Sequence, residues 1–165
     1  QFNILVFLCT FDKLLTTTPM LHFSPKVNKV IFACITLLLG GIIYYAYRID
    51  TLLMFKWAEA IGLNSIIIDI RKCASNLDLP AFIIYCLPNA LWTTSYLLAV
   101  DALVSMEDNK LAWGISLPII ATLFEILQAF NIIPGTFDIF DIICFIIPTI
   151  IFIVYYKVTY HEKNY

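Results

Sequence analysis

Two pairs of polar residues interrupt an otherwise oily second half of the chain: Glu125 with Gln128, and Asp138 with Asp141. The members of each pair are three apart, so on an α-helix they share one face. Carboxylates in this arrangement can hold a cation, a proton or the polar part of a lipid headgroup. Pro134-Gly135 stands between the pairs and predicts a tight turn, because Pro stops a helix and Gly accepts unusual backbone angles. The turn folds the two faces towards one another. At 1.5 Å rise per residue, Glu125 and Asp141 each lie roughly 8 Å from it and so at similar depth. Further upstream, Tyr85, Asn89, Trp92 and Tyr96 fall on one helical stripe. Arg48, Arg71 and Lys72 are counter-charges that can approach from the preceding segment. The candidate ligand-binding set is therefore Glu125, Gln128, Asp138, Asp141, Asn89, Arg71 and Arg48.

Each of these residues also has a plainer role open to it. Asp138 can cap a helix, since acids favour helix N-termini. Glu125 and Gln128 can join helices by hydrogen bonds. Packing accounts well for Tyr85, Trp92 and Tyr96, whereas the amide of Asn89 demands partners if buried.

The elements that must carry these residues follow from composition. Of 165 residues, 61% are apolar and 13% charged, with a mean hydropathy of +0.89. Soluble domains are roughly 45–50% apolar and about 25% charged. A water-soluble globule of this length cannot hide so much oily surface, so the surroundings are lipid. A cytosolic enzyme, a disordered chain and a secreted disulfide scaffold are excluded. The net charge of −2 argues against a nucleic-acid partner.

A spanning helix needs about 20 mostly apolar residues. Four segments qualify: 30–47, 79–100, 111–130 and 137–156. Strands of a membrane barrel alternate apolar and polar residues, and these runs do not. The expected fold is all-α: a membrane-embedded bundle of four transmembrane helices, with one or two short interfacial helices between the first and second spans. Residues 30–157 make the four-span domain, 158–165 a polar tail, and 1–29 an N-terminal segment in which Met20 is an alternative start. An ionisable group at the centre of a span costs at least ~2.5–3.5 kcal/mol and usually marks function, which is why the acids draw attention.

Between the first two spans, 52–61 predicts a helix capped by Asp50 or Thr51 and ended by Gly62, with Lys56, Glu59 and Trp57 suited to an interfacial face. A second short helix is expected over 66–74, started by Asn64 or Ser65. A soluble subdomain is the competing reading, but about thirty residues bury little core alone. With the N-terminus inside, Lys13, Lys26, Lys29, Lys110, Lys157 and Lys163 fall on the inner side, and Arg48, Lys56, Arg71 and Lys72 on the outer. This leans towards both termini in the cytoplasm.

No covalent chemistry is indicated. The five cysteines include no C-x-x-C pair; Cys34, Cys86 and Cys144 lie within spans as small hydrophobes, and Cys9 and Cys73 outside them. His22 and His161 are terminal and solvated. Nothing points to a cofactor, and the metal question is open.

The Glu125-Ile-Leu-Gln128 face, the turn and the Asp138-Ile-Phe-Asp141 face, with Leu87-Pro88-Asn89-Ala90-Leu91-Trp92 on the second span, resemble the VanZ-like membrane proteins. The resemblance covers roughly residues 30–157. Such proteins often carry an Arg in the turn, where this chain has Pro134-Gly135-Thr136, and an Asn and a Gly after the second Asp. The resemblance implies a small bacterial cell-envelope protein of the inner membrane; the family's founding member is linked to glycopeptide tolerance. On this reading the acids bind a lipid-linked headgroup, a divalent cation or a proton. The alternatives are an oligomeric proton- or ion-coupled carrier or pore, assembling as a homo-oligomer through Gly40-Gly41, and a ligand-free accessory subunit of a partner membrane protein.

Overall fold

The computed structural model describes residues 24–105 and 109–163, with side chains to residue 159. The expectations for Met20, His22, Cys9 and Lys13, and for the side chains of His161 and Lys163, fall outside the described residues. So do the loop acids Glu107 and Asp108. Among the described residues there is no strand. The helices are α1 Pro25–Tyr47, α2 Leu53–Ala60, α3 Asn64–Ala74, α4 Ala81–Tyr85, α5 Leu87–Leu103, α6 Lys110–Ala129 and α7 Ile139–Lys163.

Among the described residues, three helices are long and apolar enough to cross a bilayer: Pro25–Tyr47, Lys110–Ala129 and, within α7, Ile139–Thr159, with mean hydropathies of 2.1, 1.6 and 2.4. Their outward faces are oily. Leu38 is 64% exposed, and Ile119, Leu123, Ile147 and Ile150 are exposed as well. In water such a surface would aggregate, and against acyl chains it costs nothing. Over the described residues the chain is all-helical, and its three apolar helices suit a membrane protein.

Local sequence sets where the helices begin and end. Ser24 Oγ accepts from Val27 N–H and Pro25 occupies the first helical turn, so α1 starts earlier than residue 30 and carries Lys26 and Lys29 inside it. Helix α2 starts at Leu53 with no side-chain cap, so neither Asp50 nor Thr51 does that work. It stops where expected. Gly62 takes φ 78°, and the N–H groups of Gly62 and Leu63 donate back to the carbonyls of Glu59 and Ala58. That pair of bonds is a Schellman close.

The same device ends α6, at Asn131, where the expected turn over residues 131–136 begins. Asn131 takes φ 56°, its N–H donates to Gln128 O, and Ile132 N–H donates to Leu127 O. Pro134-Gly135 therefore lies inside a longer connection, residues 130–138, rather than forming the whole turn.

The expected span 79–100 is not one continuous helix. Pro88 lacks the N–H that would bond Ile84 O, and its ring crowds that carbonyl. The helix breaks at Cys86 into α4 and α5, with Pro88 fully buried at the break.

Helix α5 is the hub, touching α1, α6 and α7. It meets α1 through small residues. Ser95 Oγ donates to Ala33 O at 2.7 Å, and a Cβ placed on Gly40 would sit 2.6 Å from Trp92 Nε1. Gly40 is thus buried inside the chain, which corrects its assignment to an oligomerisation face; Gly41 meets nothing within 4 Å. Helices α6 and α7 approach at Gly114, over which the Phe152 ring lies. Helices α2 and α3 pack Phe55, Ala58 and Ile67 under Tyr44 and Tyr45 of α1.

Candidate functional site

The up-and-down course of the helices brings four helix ends together: the C-termini of α1 and α6 and the N-termini of α5 and α7. Arg48, Glu125, Asn89, Asp138 and Asp141 come from these ends.

Asp138 immediately precedes α7 and caps it. Its Oδ1 accepts from Phe140 N–H at 2.9 Å. The backbone N–H of Asp138 donates to Glu125 Oε2 at 3.4 Å, so Glu125 reaches across the connection to the start of the next helix. Asp141, one turn further on, points inward and is only 9% exposed. Asn89 is within hydrogen-bonding reach of its carboxylate. Its Oδ1 is buried without a hydrogen-bond partner. A buried polar atom left unpaired costs roughly 1–3 kcal/mol, so this oxygen is an opening for a donor or a cation.

Arg48 lies on the same side. Its guanidinium stands 4.7 Å from the Tyr85 ring centre and 5.8 Å from that of Tyr44, and Nη2 donates to Tyr85 O at 3.4 Å. It is close enough for Asp141 and Cys86 to feel its charge. Its Nε is buried without a partner. An unpaired donor and an unpaired acceptor thus share one end of the bundle.

Other candidates sit elsewhere. Arg71 does not reach the acids. Its Nε donates to Tyr45 O at 3.1 Å, Nη2 donates to Arg48 O, and the guanidinium stacks 5.0 Å over Phe55. It fixes the backbone that presents Arg48. Lys72 pairs with Asp69 at 3.6 Å on an exposed face. Gln128 lies over Gly135, where an added Cβ would meet its Cδ at 2.5 Å, so it packs the connection. The stripe on the second span is divided among neighbours: Trp92 faces α1, and Tyr96 donates to Trp113 O of α6 at 2.6 Å.

Two features escaped the sequence reading. The first is thiol chemistry beside the acids. Cys86 is 3% exposed and Cys144 5%, and their thiols lie against one another. One donor atom each from Cys86, Asp138 and Asp141 falls within 4.8 Å of the others. Cys144 follows Asp141 by three, a spacing that was visible; Cys86 was hidden because Pro88 turns the chain only in three dimensions.

The second is a charged knot at the opposite end. Lys29 Nζ lies 2.6 Å from Asp101 Oδ2, and Lys110 Nζ lies 3.1 Å from Asp101 Oδ1. Lys29 also donates to Tyr155 Oη at 3.0 Å. These two lysines lie within α1 and α6.

No family model, characterised relative or solved structure matches this chain.

Proposed function

We propose that the chain is a four-span integral membrane protein of the VanZ-like type that binds the polar headgroup of a lipid-linked ligand. The fourth span is α4 with α5, residues 81–103, which covers about 34 Å at 1.5 Å per residue against a hydrocarbon core of ~30 Å. Helices α2 and α3 lie in the interface: Phe55, Ala58 and Ile67 face inward, while Lys56, Trp57 and Glu59 are exposed. The protein sits in a bacterial inner membrane with both termini cytoplasmic.

One observation carries the ligand reading. Arg48 Nε and Asp141 Oδ1 are both buried and both unpaired at the same end. A zwitterionic headgroup satisfies both at once, its phosphate on Arg48 and its ammonium or hydroxyl on Asp141. Glu125 adds negative potential, Asn89 orients Asp141, and Arg71 holds the Arg48 backbone. Tyr44 and Tyr85 flank the guanidinium, as aromatic rings do at a lipid–water boundary.

The test is thermal melting of the detergent-solubilised protein with and without phosphoethanolamine-headed lipid. Wild type is expected to melt higher with the lipid, and Glu125→Gln and Asp141→Asn to lose most of that rise. If both folded variants keep the full rise, the acids are structural and the reading fails.

A further inference from the structure

We infer that Cys86, Asp138 and Asp141 form a site for a thiophilic divalent cation, with Zn²⁺ the ion that fits. The inference rests on the reading of this end as a ligand pocket and names a second occupant for it.

Geometry comes first. The three donor atoms lie within 4.8 Å of one another. On a tetrahedral zinc ion, with Zn–S near 2.3 Å and Zn–O near 2.1 Å, neighbouring donors are roughly 3.5 Å apart. The site has to draw in by about an ångström. Cys86 is buried at a helix break, so the movement falls to Asp138, a partly buried side chain just ahead of α7.

A second observation concerns one member of the cluster: Asp141 Oδ1 is buried and unpaired in a residue 9% exposed. An ion between it and Cys86 supplies the missing partner in place of the headgroup's ammonium or hydroxyl, leaving Arg48 for the phosphate. Asn89, already within reach of Asp141, is placed to orient the carboxylate, as outer hydrogen bonds do around bound metals. The cap at Phe140 N–H does not compete, because an ionised carboxylate offers about four lone-pair positions.

Donor type selects the ion. Mg²⁺ and Ca²⁺ want oxygen alone, whereas mixed thiolate and carboxylate ligation suits zinc. The Cys144 thiol lies against Cys86 but outside this three-donor group, so solvent supplies the fourth ligand. Local charge agrees: Glu125, Asp138 and Asp141 outnumber Arg48. On binding, the Cys86 S–H gives up its proton to solvent and the sulfur bonds the metal, so affinity rises with pH.

The experiment uses the full chain in detergent, with Cys9, Cys34 and Cys73 replaced by Ala so that Cys86 and Cys144 are its thiols. Zn²⁺ and Cd²⁺ are titrated alone, metal content is measured after desalting, and the ultraviolet cadmium–thiolate band is recorded. The expected result is one ion per chain with a thiolate band. Cys86→Ser and Asp138→Asn should each weaken binding at least tenfold; Asn keeps the helix cap, so that variant remains folded. Equal binding by the parent and Cys86→Ser, or no binding by the parent, overturns the site. The same preparations are melted with phosphoethanolamine-headed lipid. A lipid response without zinc binding overturns the metal site and leaves the headgroup reading standing. Zinc binding without a lipid response does the reverse, and absence of both removes the pocket.

Discussion

Lys29 and Asp101 stand 72 positions apart in the chain, yet their charged atoms meet at 2.6 Å, and Lys110 closes on the same carboxylate from the other side. Side-chain exposures are only 18% for Lys29 and 12% for Asp101. One anion therefore bridges two cations that are largely out of water. Removing one partner of such a cluster leaves uncompensated charge behind, typically at 3–5 kcal/mol. Asp101→Asn is expected to lower stability by about 3 kcal/mol, read as a fall in Tm in detergent. A Tm within a degree or so of wild type would mean that the knot is well hydrated.

The contact between α1 and α5 gives a paired prediction. Gly40→Ala drives a methyl group into Trp92 and should destabilise by about 1–3 kcal/mol. Gly41→Ala, one residue on, meets nothing and should be neutral or mildly stabilising, since Ala is the better helix former. Thermal melts of the two variants side by side check it. Equal effects would show that α5 does not pack on α1 at this level.

The same logic applies where α6 meets α7. Gly114→Ala brings a Cβ within 2.2 Å of Phe152 Cε1. It should cost about 1–3 kcal/mol, and Phe152→Leu in the same chain should recover part of that loss. The double-mutant cycle is the measurement, and strict additivity would contradict the contact.

These contacts show what the sequence could and could not disclose. Hydropathy alone was enough for the three long spans, because nothing but lipid suits faces such as Leu37, Leu38 and Leu39 of α1. The nearness of Glu125 to Asp138 was also readable, since a hairpin joins them and short connections fix which faces meet. Cys86 and the Lys29–Asp101–Lys110 knot were not readable. Each depends on how helices distant in sequence pack, and hydrophobic periodicity carries no such information. Arg71 was misassigned for a related reason: a loop arginine looks like a counter-charge until the carbonyls of Tyr45 and Arg48 are seen to occupy it.

The start of α7 supplies a prediction separable from any ligand. Asp138→Ala removes the cap to Phe140 N–H and should cost about 1 kcal/mol, whereas Asp138→Asn should be nearly neutral. Thermal melting in the absence of added metal or lipid distinguishes them. Equal losses would show that the negative charge matters more than the hydrogen bond.

Helix α5 has a further consequence, for biogenesis. Its Thr93 and Ser95 are buried and its far end carries Asp101, so it offers acyl chains a poorer surface than the helices on either side. Ser95 leans on α1, a helix synthesised earlier, whereas Asp101 must wait for Lys110, which emerges later from the ribosome. On the four-span proposal, α5 is thus steadied first by its elder neighbour and locked by its younger one, and a chain truncated before α6 would leave it without its second anchor.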